Sequence, residues 1–155
     1  MCQGVSILLS RMPSETVERY KLGSRIVCRG GEYKELHFMH RERTRMLPVL
    51  YGGKLIVCEW GNWSSRSKLP RPGWCGSETL EAGKWRWLEP QQIEIPADYG
   101  FDKGVWYQVT QGIRGILVRD EQERPHAYIL TVPASHYYKI MTRSSRMPIL
   151  IEQDI

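Results

Sequence analysis

The stretch Met46–Trp60 constrains the fold more than any other. Met46-Leu-Pro-Val-Leu50 and Leu55-Ile-Val-Cys-Glu-Trp60 are β-prone runs on either side of Tyr51-Gly52-Gly53-Lys54. Paired glycines accept the positive φ angles that a tight turn between antiparallel strands demands, so the segment predicts a β-hairpin. A second hairpin is expected from Gly104–Thr110 and Ile113–Val118, joined through Gln111-Gly112. Ala127–Val132 reads as another strand after the polar turn Asp120–Pro125, and the short apolar runs Val5–Leu9 and Ile149–Ile151 have strand character. Lys84-Trp85-Arg86-Trp87 alternates charge and ring, which suits a strand with one buried face.

Helical signals are few and short. Ser14–Leu22 is expected as a helix with Ser14 as its cap and Gly23 as its stop. Ser77-Glu78 predicts a turn or two ending at Gly83, and Ser135 is placed to cap His136–Thr142. Trp60–Gly76, rich in Ser, Pro, Gly and Arg, reads as a long surface loop. The sum is an α+β fold: a single β-rich domain over residues 1–155, with strands curled into a barrel-like sheet and short peripheral helices.

Composition narrows the function classes. With 41% hydrophobic and 25% charged residues the chain is neither low-complexity nor of disordered composition. No apolar run reaches the ~18 residues of a membrane span, and no basic segment precedes Ile7-Leu8-Leu9 as an export signal would require. A cytoplasmic, monomeric protein is therefore expected. Twenty-two Lys and Arg against 17 Asp and Glu leave a net charge of +5, a mild bias toward polyanionic partners. Cys2, Cys28, Cys58 and Cys75 lie far apart with no CxxC pair, so free thiols are expected rather than disulfides or a zinc site. His37-Phe-Met-His40 beside Arg41, Arg43 and Arg45 is read as a basic surface segment. Two histidines without a third ligand predict no metal, and no cofactor motif is present. Five of the six tryptophans fall between Trp60 and Trp87, where exposed rings would suit unpaired bases and buried ones would be core.

Cys2 carries the most distinctive chemistry. Removal of Met1 would leave an N-terminal cysteine whose α-amine, with a pKa of about 7.7–8.0, is partly free base near neutral pH. That amine attacks an aldehyde to form an imine. The neighbouring thiol then closes a five-membered thiazolidine, an intramolecular step that neither group achieves alone.

Read in order, Cys2, Trp60-Gly61, Glu78-Thr79, Ile95-Pro96-Ala97-Asp98 and Arg146-Met147-Pro148-Ile149-Leu150 resemble the SOS response-associated peptidase (SRAP) family of abasic-site shielding proteins. Members open with Met-Cys-Gly-Arg. They then show Trp-Gly-Leu, Asn-Ala-Arg-Ala-Glu-Thr, Val-Pro-Ala-Asp-Gly and, near the end, His-Asp-Arg-Met-Pro. The resemblance spans nearly the whole chain in short blocks. It implies self-removal of Met1, then condensation of Cys2 with the ring-opened aldehyde of an abasic site in single-stranded DNA. A glutamate and a histidine assist that reaction, and an asparagine holds the terminus or the substrate.

The chain departs from that pattern at several positions. The family histidine falls on Ser144 and its neighbouring aspartate on Ser145; the asparagine falls on Trp74 and its arginine on Gly76. Gly4 stands where the opening arginine is expected. Counted from Asp98 without a gap, the family glutamate is Asp102; one inserted residue would make it Lys103. A serine hydroxyl does not titrate near neutral pH and cannot shuttle protons as an imidazole does. Cys2, Asp102 and Glu78 are thus the candidate catalytic residues, with His136 as a candidate substitute for the imidazole and Asn62 for the amide. Trp60, Asn62, Trp63, Arg66, Arg71 and Arg146 are the candidate DNA contacts, with Lys68 a further phosphate ligand. The alternative is a degenerate SRAP-fold module that binds nucleic acid or protein without covalent chemistry.

Overall fold

The computed structural model describes residues 1–155. In chain order the elements are β1 (Gly4–Leu8), α1 (Ser14–Arg19), β2 (Ile26–Val27), β3 (Glu35–Met39), β4 (Met46–Tyr51), β5 (Lys54–Trp60), β6 (Trp74–Gly76), α2 (Ser77–Glu81), β7 (Gln91–Ile95), β8 (Tyr99–Asp102), β9 (Val105–Gln108), β10 (Ile113–Arg119), β11 (Pro125–Pro133), α3 (His136–Thr142) and β12 (Arg146–Pro148). One antiparallel sheet has the order β2-β3-β1-β8-β9. In the other, β10 pairs with both β7 and β11, so β7-β4-β5-β11-β10 closes on itself as a five-stranded barrel. Closure leaves no free edge among those five strands. β6 and β12 attach along β11, parallel and antiparallel respectively. The fold is the β-rich α+β domain with a barrel-like sheet that the strand pattern predicts.

One core joins the two sheets. Val5, Ile7, Leu36 and Phe38 from the first pack in the same cluster as Leu47, Val49, Ile95 and Ile129 from the second. A smaller cluster sits around Trp85, Ile116, Val118 and Tyr128. No helix is long and apolar enough to cross a membrane, and no three His, Cys, Asp or Glu side chains converge as a metal site requires. All four cysteines are free thiols.

The Met46–Trp60 hairpin forms as expected, with Gly52 and Gly53 at φ +56° and +80° in its turn. α3 also starts where the sequence puts it, Ser135 Oγ accepting from Tyr138 N. Other expectations are corrected. β9 pairs with β8 and not with β10, because Lys103 and Gly104 (φ +46° and +86°) close a two-residue turn while Gln111-Gly112 carries the chain across to the barrel. Lys84–Trp87 is no strand: Arg86–Leu88 is a 3₁₀ turn held by i→i+3 bonds such as Leu88 N to Trp85 O, and only Trp85 is buried. α1 stops at Arg19, has Pro13 at its cap position and uses no Ser14 cap bond. The terminal strand is Arg146–Pro148, and Ile149–Ile151 contributes one bridge, Leu150 to Ile113. His37–Met39 belongs to β3 with Phe38 and Met39 buried, so it is strand core and not a surface segment.

Candidate active site at the amino terminus

Ladder geometry fixes the first residues before any side chain is considered. Gly4 pairs with Phe101 on one side and Met39 on the other, which makes β1 a central strand. Gln3 extends both ladders, its N–H donating to Phe101 O at 2.7 Å and its carbonyl accepting from His40 N at 3.0 Å. The terminus is thus threaded between the ends of β8 and β3. Trp74, at the start of β6, donates its indole Nε1–H to the Cys2 carbonyl at 2.7 Å.

Met1 then turns to the β8–β9 hairpin, and its ammonium lies 2.8 Å from Asp102 Oδ2. Asp102 is fully buried. Tyr138, on the inner face of α3, donates its hydroxyl to the same oxygen at 2.8 Å, and the Tyr107 and Tyr138 hydroxyl oxygens are 3.2 Å apart. Asp102 Oδ1 and the hydroxyl of buried Ser144 have no hydrogen-bond partner. Buried polar groups are ordinarily satisfied, so the open Asp102 oxygen beside the terminal amine marks this end of the molecule.

Cys2 is fully enclosed, its Sγ–H donating to Gly4 O at 3.1 Å. Burial pushes the thiol above its ordinary 9.0, partly opposed by the Tyr107 hydroxyl and by backbone groups of Gly4 and Phe101. Burial likewise raises Tyr107 and Tyr138, which therefore stay protonated and act as hydrogen-bond donors at neutral pH. A cavity of about 300 Å³ adjoins the terminus, lined by Gln3, Met39, His40, Arg41, Trp74 and Phe101. His40 is held down to about 4 by burial and by the charge of Arg45, so its imidazole is neutral there.

Of the catalytic candidates, the structure brings Cys2 and Asp102 together and leaves Glu78 outside. Glu78 is exposed and forms a bidentate pair with Arg146 (3.1 and 3.0 Å), whose guanidinium also donates to Thr131 O. Lys103 turns away to Arg143 O, and His136 is exposed on the first turn of α3. Trp60 is fully buried with its Nε1–H on Gly73 O at 2.8 Å, so its ring serves the core. Asn62 is buried too; its amide donates to Leu69 O at 2.9 Å and accepts from Ser64 N at 3.0 Å, which folds the Gly61–Gly73 loop. Trp63 is exposed with the Arg45 guanidinium 4.4 Å from its ring, and Arg66 and Arg71 are exposed on the same loop.

No protein-family model and no curated protein sequence matches the chain. Three groups at the terminus were not legible in the sequence: Tyr107, Tyr138 and His40. The only trace of Tyr138 was its place after the Ser135 cap, which fixes which face of α3 turns inward.

Proposed function

We propose that this protein binds single-stranded DNA and, once Met1 is removed, captures the ring-opened aldehyde of an abasic site on Cys2 as a thiazolidine, in the manner of the SRAP proteins it resembles. The contact between the terminal ammonium and buried Asp102, inside a cluster with Cys2, Tyr107 and Tyr138, carries this reading. Met1 is the exposed first residue and its amine already occupies the carboxylate. Hydrolysis of the Met1–Cys2 bond consumes one water and makes the Cys2 nitrogen the new terminus, about 3.8 Å of Cα spacing behind the old one.

The proton inventory suits the steps. Asp102 accepts a proton from the Cys2 ammonium, freeing the lone pair that attacks the sugar aldehyde. It returns that proton to the carbinolamine hydroxyl, which leaves as water and gives the iminium. The Cys2 sulfur adds to the iminium carbon and its thiol proton is lost, closing the ring. The net change is one N–C bond and one S–C bond formed and one water released. Tyr138 keeps Asp102 oriented throughout, as the orienting partner of a general acid–base must.

A second reading keeps the fold without the covalent step. The enclosed Cys2 sulfur, Ser144 at the family histidine position and Trp74 at the asparagine position favour it. Incubation with single-stranded DNA carrying an abasic site, followed by a denaturing gel, separates the two. A slow band that survives SDS and vanishes in Cys2→Ala is the expected result. Salt-sensitive binding without that band would leave only the non-covalent module.

A further inference from the structure

The groove that leads away from the terminus differs in charge from the largest hollow on the rest of the surface. The cavity at Gln3 shares Met39 and Arg41 with a second, larger hollow of about 650 Å³ that runs along β3 and the β3–β4 turn. Lys21, Arg25, Arg41 and Arg43 face this hollow with Glu42 as the one carboxylate. Arg25 is already committed, 2.9 Å from Glu42 and donating to Thr44 O at 2.8 Å. Lys21, Arg41 and Arg43 are exposed and form no ion pair with the protein, so three positive charges remain for an outside partner.

The other large hollow, about 670 Å³ beside β7 and β10, is unsuited to a polyanion. Glu89, Asp120, Glu121 and Glu123 outnumber Lys68 and Arg119 on its walls. At the far end of the basic groove the wall is aromatic. Trp74 and His40 have ring centroids 4.5 Å apart, and Phe101 closes the side. Trp74 is held in place by its bond to the Cys2 carbonyl, and His40 Nε2 has no partner. Cations spaced along a groove that ends in a fixed aromatic wall match a single strand, whose phosphates seek charge and whose unpaired bases seek ring faces.

We infer that the DNA backbone runs along the β3–β4 groove over Lys21, Arg41 and Arg43, and that the nucleotide presented to the terminus is seated against Trp74 and His40. This rests on the DNA-binding reading above and assigns its track to a different surface from the Arg66–Arg71 loop. The test is fluorescence anisotropy of a labelled oligothymidylate, with no abasic site, titrated at several salt concentrations. Each phosphate contact contributes about 0.7 to the slope of log affinity against log salt for single strands. Lys21→Ala with Arg41→Ala and Arg43→Ala is expected to lower that slope by about 2, whereas Arg66→Ala with Arg71→Ala leaves it unchanged. Arg41→Lys with Arg43→Lys should keep the slope, since it keeps the charge. Melting of every variant checks that these exposed substitutions leave the fold intact. An unchanged slope in the triple variant, or its loss in the Arg66/Arg71 pair, overturns the track while leaving DNA binding in place. No salt-dependent binding by the wild type overturns both.

Discussion

Two buried aspartates stand at strand ends in different sheets, Asp102 as the last residue of β8 and Asp120 just after β10, and their surroundings differ. Asp120 follows β10 and has both oxygens in use. It accepts from Gln122 N and Arg124 N at 2.8 and 2.9 Å, from Arg124 Nε at 3.2 Å, and it faces His126 Nε2 at 3.0 Å. His126 in turn reaches Gly61 O at 2.8 Å, which ties the β10–β11 turn to the start of the Gly61–Gly73 loop. Asp102 ends β8 and has one oxygen shared by the terminal ammonium and Tyr138, while the other is unpartnered. A carboxylate surrounded by fixed donors holds structure together; Asp102, with one open oxygen beside the terminal amine, has the geometry that the proposed proton transfer needs. That contrast is what singles out the terminus as the site of the proposed chemistry.

The contrast can be broken first at Asp120. Asp120→Ala takes the carboxylate from buried His126 Nε2 and from the Gln122 and Arg124 amides together, which should cost about 3 kcal/mol. For a chain of this size that is roughly a 6–12 °C loss in Tm, read by calorimetry. Asp102→Asn should behave in the opposite way. It keeps an acceptor for Tyr138 and for the terminal ammonium and removes only the charge, so its stability cost is expected to be about 1.5 kcal/mol, half that of Asp120→Ala. Its adduct rate on abasic single-stranded DNA should nonetheless fall about 100-fold or more, the usual share of a general acid–base group. Equal melting losses in the two variants would erase the distinction drawn here.

Acid titration sharpens the same comparison. Burial alone would raise Asp120, but hydrogen bonds from His126, Arg124 and Gln122 outweigh it and hold the carboxyl at about 2 against an ordinary 3.8. A folded-state value below the unfolded one stabilises the native chain above the unfolded value. The contribution of Asp120 is therefore complete above pH 3.8 and is lost as pH falls from there to about 2. A denaturant midpoint followed over that window should drop in the wild type and stay flatter in Asp120→Asn. The smallest effect belongs to Glu78, whose carboxyl is lowered chiefly by its hydrogen bond from Arg146 at an exposed site. Glu78→Gln should leave Tm and adduct rate unresolved from wild type, as exposed ion pairs usually do; a large loss of adduct would restore it as a catalytic group.

What the sequence revealed was local. The Gly52-Gly53 turn and the Ser135 cap encode their elements within a few residues, and both form as read. Asp102 was reachable by counting from Ala97-Asp98 because the chain between them is one short strand. Pairing between distant strands was not encoded so plainly. Gln111-Gly112 has the composition of a hairpin turn, yet β9 and β10 lie in different sheets because Lys103-Gly104 closes β8 onto β9 first. Trp60 and Asn62 stand among the candidate DNA contacts because the family resemblance puts a base-wedging aromatic at the end of β5. Their burial follows from where Gly73 O and Leu69 O return to meet them, a long-range outcome with no signature at either residue. Tyr107 and Tyr138 meet only because α3 docks beside the β8–β9 hairpin.

The freed terminus is the hinge of the whole account, and intact-mass spectrometry of protein expressed without a tag addresses it directly. The expected result is a chain lighter by one methionine residue, beginning at Cys2. A chain that retains Met1, with its ammonium still on Asp102, would contradict it.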